Sequence, residues 1–152
     1  MKTKPTSYLG PALTVSLVRE SKAQSYPLLN NPAEAAAALA VLVPDDGREH
    51  FGIVMLDVRH RALGVLSVSV GCLTASLVHP REVFGPALVG KAASVILWHN
   101  HPSGDPEPST EDLAITRKLA AGGVVLGIEV VDHLIIGTGS GRFVSLKERG
   151  VL

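Results

Sequence analysis

Residues 94–112 have the sequence SVILWHNHPSGDPEPSTED and join an apolar run to the start of an amphipathic one. The pattern predicts a buried strand, a loop stiffened by prolines and the first turn of a helix. Because side chains alternate along a strand, His99 and His101 lie on one side and Asn100 points to the other. Two imidazoles at this spacing can bind one metal ion, and Asp112 can supply a carboxylate as the third ligand.

Three protein ligands leave a tetrahedral zinc ion with one free position, which catalytic zinc sites fill with water. We therefore expect Zn²⁺ as a cofactor. A bound zinc ion lowers the pKa of its water to about 7, which produces hydroxide near neutral pH. In the alternative interpretation, Ser109-Thr110-Glu111-Asp112 is only a capping box that satisfies backbone N–H groups at a helix start. The paired histidines favour the metal site, and capping and metal binding can coexist.

The pattern His-x-His, seven residues, Ser-x-x-Asp resembles the JAMM (MPN-plus) metalloprotease motif at every position. The flanking segments 79–82, 126–127 and 132–133 look like the JAMM domain of the bacterial RadC family, and the resemblance covers roughly residues 45 to 150. It implies an α/β fold with a curved mixed β-sheet flanked by helices, the JAMM/MPN fold related to cytidine deaminases. It also implies a zinc-dependent metallohydrolase that cleaves a peptide or isopeptide bond.

The resemblance also implies two catalytic residues. Such a reaction needs a carboxylate that moves a proton without binding the metal ion, and the family has a glutamate just before an early central strand. Glu49 stands in the matching place, although it can also be a solvated charge at the strand entry. Glu82 is the rival acid, but we expect it to stabilise the start of its own helix. Ser109 matches the family serine that donates to the oxyanion.

Five further polar residues have two interpretations each. We expect Asn100 and Ser103 either to line the site or to make ordinary loop hydrogen bonds. His79 and His133 each neighbour a strand end and can approach the site, but a packed, hydrogen-bonded histidine is the commoner outcome. Arg81 can hold a substrate carboxylate or pair with a neighbouring acid.

Composition favours a globular protein with no strong charge preference. The 152 residues are 46% hydrophobic, with 14 basic and 14 acidic side chains. The lone Cys72 cannot form an internal disulfide, and we find neither a signal peptide nor a membrane-spanning stretch, so we expect a cytoplasmic protein. The sequence does not specify the substrate or the oligomeric state.

A second functional hypothesis is a DNA-repair-associated accessory or binding protein, because RadC proteins carry a DNA-repair label. Nucleic acid is then a possible partner. The balanced charge predicts weak phosphate binding, however. Residues 1–48 also lack the Gly-centred hairpin of the helix-hairpin-helix region that usually precedes the family's JAMM domain.

The chain divides into a predicted N-terminal strand and helix extension, residues 1–44, packed on a JAMM domain, residues 45–152. The first predicted elements are a half-buried strand over 12–18, a helix from Asn31 to Val43, paired strands over 51–58 and 62–70, and a helix from Pro80 towards Ala93. The strand and helix of the metal stretch follow, and Gly122-Gly123 terminates that helix. The last predicted elements are strands over 128–131 and 134–136, broken at Asp132-His133, and a glycine-rich turn at 137–141 into a strand around Phe143-Val144.

Overall fold

A computed structural model of the protein describes residues 14–18, 28–71 and 78–152. The described residues form three helices and five strands. In chain order they are α1 Pro32–Leu42, β1 His50–Leu56, β2 Ala62–Val70, α2 Pro80–Val89, β3 Ser94–His101, α3 Thr110–Leu126, β4 Glu129–Gly137 and β5 Phe143–Ser145. In this part of the chain no helix has the length and hydropathy that a transmembrane span requires.

The strands form one mixed sheet in the order β2-β1-β3-β4-β5. The middle strand, β3, is antiparallel to β1 and parallel to β4. A parallel pair needs a crossover connection, and α3 supplies it. The expected α/β fold, a mixed sheet flanked by helices, is confirmed.

Helices cover both faces of the sheet, so its inner strands are apolar on both sides. Ile53 and Leu97 pack in the core that includes residues of α2 and α3. Val54 and Trp98 point to the opposite face and pack in the core that includes residues of α1. The alternation along β3 therefore directs successive polar residues at its C-terminal end to opposite faces of the sheet. The chain leads from this end of β3 to α3.

The predicted start of α1 is confirmed. The side chain of Asn31 accepts a hydrogen bond from the N–H of Glu34 at 2.9 Å, and Pro32 occupies the first turn. The predicted strand over 12–18 is wrong for residues 14–18, which are exposed and belong to no strand. Their alternating pattern has no hydrogen-bonded neighbour in the sheet, whose edge strands are β2 and β5. Residues 12 and 13, the predicted loose terminus at 1–10 and the bend at Cys72 lie outside the described residues.

Helix α2 ends at Val89, earlier than the predicted extension towards Ala93. The N–H of Gly90 bonds back to the carbonyl of Pro86 at 2.8 Å and closes the helix. Lys91 then has a φ of 53°, a left-handed backbone conformation that cannot continue a right-handed helix.

The prediction that Gly122-Gly123 terminates α3 is wrong. The helix continues to Leu126 and is capped by Gly127, whose φ of 69° is the left-handed conformation common at helix ends. A Cβ on Gly123 would overlap the backbone oxygen of Ile128. This glycine therefore allows α3 to approach the following strand closely and does not break the helix.

The predicted break at Asp132-His133 is also wrong, because β4 is continuous from Glu129 to Gly137 with a shift in its pairing to β3. The buried Asp132 carboxylate accepts hydrogen bonds from the N–H groups of His133 and Lys147, at 2.7 and 3.0 Å, and from the Ser145 hydroxyl at 2.7 Å. A buried carboxylate with three donors can remain inside a strand.

Candidate metal centre

Three side chains meet where β3 ends and α3 begins. His99 is fully buried, His101 is partly exposed, and Asp112 reaches them from the first turn of α3. Nε2 of His99 lies 3.0 Å from Nε2 of His101 and 3.1 Å from Oδ1 of Asp112. Nε2 of His101 lies 3.3 Å from Oδ2 of Asp112. The structure thus brings together the three residues that the spacing predicts as ligands.

The geometry and chemistry of this cluster fit a metal ion. Zinc bonds of about 2.0 to 2.1 Å in a tetrahedron place neighbouring ligand atoms about 3.3 Å apart. Each Nε2 lies close to that distance from the other Nε2 and from one of the two oxygens of Asp112. Imidazole and carboxylate are common zinc ligands. His99, His101 and Asp112 could therefore hold a metal ion together.

The start of α3 orients the carboxylate of the cluster. Ser109 is the N-cap, and its Oγ accepts a hydrogen bond from the N–H of Asp112 at 3.1 Å. Oδ2 of Asp112 accepts in return from the N–H of Ser109 at 2.7 Å. The predicted capping box is present, and the same carboxylate faces both histidines. Capping and a carboxylate that faces both histidines therefore coexist in one geometry.

The cluster combines an anionic carboxylate with two imidazoles. Burial raises the pKa of Asp112, but the neighbouring imidazoles of His101 and His99 outweigh this effect and hold the pKa well below its ordinary value. The hydrogen bond to Asp112 raises the pKa of His101 against the opposing effect of burial. Asp112 is consequently an anion at neutral pH, and it faces two imidazoles that can each offer a lone pair.

Each imidazole is held through its second nitrogen. Nδ1 of His101 donates to the backbone oxygen of Asp105 at 2.8 Å, which leaves Nε2 facing the cluster. Nδ1 of His99 lies 2.8 Å from Nε2 of His133, and the ring of Phe51 stacks on His99 with centroids 6.3 Å apart. Such contacts orient metal-binding histidines in proteins.

The buried His133 connects the cluster to α3. Its Nδ1 lies 2.6 Å from the hydroxyl of Thr116, which lies 2.6 Å from the backbone oxygen of Asp112. Burial lowers the pKa of His133 well below its ordinary value. His133 is therefore a packed, hydrogen-bonded histidine that also contacts the cluster, and Thr116 is a partner that the sequence patterns did not predict. The one available signal for Thr116 is its position four residues after Asp112, on the same face of α3.

Glu49 immediately precedes β1 and is partly buried. Its negative charge contributes to the raised pKa of His101, so the carboxylate acts on the cluster through space. Asn100 points to the other side of β3 from the histidines. Its side chain accepts from the N–H of His50 at 2.7 Å and donates to the carbonyl of Arg48 at 3.1 Å, so it binds the backbone on both sides of Glu49.

The remaining predicted site residues have local partners. Ser103 is exposed, and its Oγ accepts from the N–H of Asp105 at 3.3 Å. His79 is an exposed residue at the N-cap position of α2. Arg81 donates to the neighbouring Glu82 at 3.2 Å on the surface. Among the described residues, the group that could hold a metal ion consists of His99, His101 and Asp112. It includes neither His79 nor any acid of α2.

The chain is similar over most of its length to one protein family. The sequence matches the RadC-like JAB domain family over residues 29–151. A UPF0758 protein of Desulfitobacterium hafniense is 50% identical over 126 residues, which cover 83% of this chain and 55% of that protein. A UPF0758 protein of Moorella thermoacetica is 51% identical over 125 residues, or 82% of this chain and 54% of that protein.

A UPF0758 protein of Methanosarcina acetivorans is 48% identical over 120 residues, or 79% of this chain and 52% of that protein. The chain spans about half the length of the curated relatives it matches. The match extends from before α1 to after β5 and includes every residue of the candidate metal cluster. The chain belongs to the RadC-like JAB domain family.

Proposed function

We propose that this chain is a zinc-dependent metallohydrolase that cleaves a peptide or isopeptide bond. The observation that carries the proposal is the convergence of His99, His101 and Asp112 within 3.0 to 3.3 Å of one another. The three residues would hold the ion. Bound zinc would supply activated water near neutral pH.

In this proposal Glu49 is the general acid/base. Its carboxylate accepts the proton that water loses as the oxygen attacks the carbonyl carbon, and then donates that proton to the leaving nitrogen as the C–N bond breaks. Glu49 immediately precedes β1, in which Phe51 pairs with His99, and this pairing supports a position beside the cluster. General acid–base catalysis by one group contributes about 100- to 10,000-fold in rate.

Ser109 supplies the second catalytic contact. Its Oγ already accepts a hydrogen bond from the N–H of Asp112, and the hydroxyl proton is still available to a second acceptor. Donation to the carbonyl oxygen that becomes negative during attack would stabilise the transition state. Its exposure at the end of the loop supports access by a substrate.

The domain division and the cellular location belong to the same proposal. Residues 45–152 would form the JAMM domain, with residues 1–44 as an extension of it. Ala36 and Leu39 of α1 pack against the sheet, which supports an extension fixed to the core. The proposal also places the protein and its peptide or isopeptide substrate in the cytoplasm. It extends the same activity to the longer relatives.

The test is hydrolysis of a pool of fluorogenic peptides and lysine-linked isopeptides by zinc-loaded protein. The matched variants are Glu49→Gln and Glu129→Gln. Glu129 pairs with Ser94 at the opposite end of β3 and β4 from the cluster, so its loss controls for removal of an acid.

We expect cleavage that requires zinc, a rate about 100- to 10,000-fold lower in Glu49→Gln and an unchanged rate in Glu129→Gln. Glu49→Gln should retain its zinc. Full activity of Glu49→Gln would contradict the assignment of the acid/base. Failure of the zinc-loaded protein to cleave any member of the pool, or cleavage that persists after zinc removal, would contradict the proposed reaction.

A further inference from the structure

A continuous line of buried polar groups connects two of the three candidate ligands. It runs from the backbone oxygen of Asp112 to the hydroxyl of Thr116, then through the ring of His133 to Nδ1 of His99, with contacts of 2.6, 2.6 and 2.8 Å. None of the four residues has more than 4% of its surface exposed to solvent. Because these groups are buried, water has little access to them and does not readily replace a hydrogen-bond partner along the line.

The position of each proton along this line follows from chemistry. The oxygens of Asp112 and Thr116 are 2.6 Å apart and need a proton between them. A carbonyl has none, so Thr116 donates its only hydroxyl proton there. Nδ1 of His133, at 2.6 Å from the same hydroxyl oxygen, must then be the donor of the next hydrogen bond.

The proton position on His99 follows from its contact with His133. The nitrogens of His133 face the hydroxyl of Thr116 and the ring of His99, neither of which is a carboxylate, and a fully buried imidazolium without such a partner is unfavourable. Nε2 of His133 therefore carries a lone pair and accepts a proton from Nδ1 of His99. The other nitrogen of His99, Nε2, is left without a proton and faces His101 and Asp112.

We propose that Thr116 and His133 are positioning residues that set the proton of His99 on Nδ1 and keep its Nε2 available as a metal ligand. The role of keeping Nε2 available as a ligand rests on the proposed metal site. The hydrogen-bond directions do not depend on that site. The line begins on the backbone of one ligand and ends on the ring of another. Thr116 and His133 thus link the orientation of α3, which carries Asp112, to that of β3, which carries His99.

The test compares Thr116→Val with Thr116→Ser. Valine has the shape of threonine but lacks the hydroxyl, so Nδ1 of His133 loses its acceptor and its proton is free to occupy Nε2 instead. Serine retains the hydroxyl. Ser145→Ala is a second control, because it removes a different buried hydroxyl, one that donates to Asp132 at 2.7 Å on the neighbouring strand.

The first readout is the zinc dissociation constant, measured by competition with a chromogenic chelator. Loss of a partner that orients a ligand typically weakens metal binding about 10- to 100-fold, and we expect that loss in Thr116→Val. Thr116→Ser and Ser145→Ala should bind zinc like the wild type. An unchanged constant in Thr116→Val, or an equal weakening in Ser145→Ala, would overturn the inference.

The second readout is nitrogen NMR of the histidine rings, which distinguishes a nitrogen that carries a proton from one with a lone pair. We expect the wild type to carry protons on Nδ1 of both His99 and His133. A proton on Nε2 of His133 would overturn the inference. The spectrum of His133 decides this in metal-free protein as well, so a wild type that binds no zinc contradicts the proposed function while the proton positions are still determined.

Discussion

The side-chain oxygen of Asn100 accepts a hydrogen bond from the backbone N–H of His50 at 2.7 Å, where the pairing of β1 with β3 ends at Phe51 and His99. The amide nitrogen of Asn100 donates to the carbonyl of Arg48 at 3.1 Å and to the hydroxyl of Thr138 at 2.9 Å. One side chain thus continues the connection between two strands past their last backbone pair. It holds the backbone on each side of Glu49.

Asn100→Leu should lower the hydrolysis rate while zinc content stays at the wild-type level. Leucine has a similar size but leaves the N–H of His50 without its partner, which costs about 1 to 3 kcal/mol when the group is buried. If Asn100 acts through Glu49, the rate loss should disappear in the Glu49→Gln background, as a double-mutant cycle would reveal. Equal rate losses in both backgrounds would contradict this role.

Ser109→Ala and Ser109→Thr separate the two roles of the N-cap. Alanine removes both the cap and the proposed oxyanion donor, so stability should fall by about 0.5 to 2 kcal/mol. The rate should fall about 100- to 1000-fold. Threonine retains both functions and should restore most of each. Urea unfolding and initial rates on one cleaved peptide provide the two measurements. A stability loss without a rate loss would leave Ser109 as a cap alone.

Local spacing accounts for the parts of the fold and site that sequence analysis predicts. His99 and His101 share a side because strands alternate, and Asn31 with Pro32 marks the start of α1 because capping needs only neighbouring residues. The convergence of Asp112 on the two histidines follows from the short connection between β3 and α3.

The incorrect or missing predictions depend on contacts between distant residues. Asp132 remains inside β4 because Ser145 and Lys147 donate to it from beyond the next turn. Gly123 lies inside α3, where the absence of a Cβ leaves room for the backbone oxygen of Ile128. The role of Thr116 depends on a strand residue, His133, which no pattern within α3 reveals.

Gly123→Ala should destabilise the fold, although alanine is the better helix former. The added Cβ would overlap the backbone oxygen of Ile128, which cannot rotate away as a side chain can. Overpacking of this kind costs about 1 to 3 kcal/mol. Val124→Ala in the same helix is the control, because Val124 is 81% exposed and alanine is the better helix former, so this change should not destabilise the fold. Thermal unfolding of both variants checks the prediction, and a stabilised Gly123→Ala would refute it.

The raised pKa of His101 predicts a pH-dependent contribution to the stability of metal-free protein. A group whose pKa is higher in the folded state stabilises fully below its unfolded pKa, about 6.5 for His101, and this contribution is lost as the pH rises through the folded value. The stability difference between wild type and His101→Gln should therefore be larger at about pH 5.5 than at about pH 9. Urea unfolding at both values tests this. A difference that grows with pH would contradict it.

Zinc should reverse that dependence, because it binds the neutral imidazole and competes with the proton. The zinc affinity of the wild type should rise as the pH increases through the pKa of His101. Calorimetric titration of metal-free protein with zinc at about the same two pH values provides the measurement. Affinity that falls with increasing pH over this interval would exclude His101 as a ligand.

The most direct test of the account is the zinc content of protein purified without added metal, measured by mass spectrometry on wild type and on His99→Ala/His101→Ala. The control is His60→Ala/His79→Ala, which removes two exposed histidines elsewhere. We expect about one zinc per chain in the wild type and the control, and none in the ligand variant. Equal zinc in all three proteins, or none in the wild type even after zinc is supplied, would contradict the metal site.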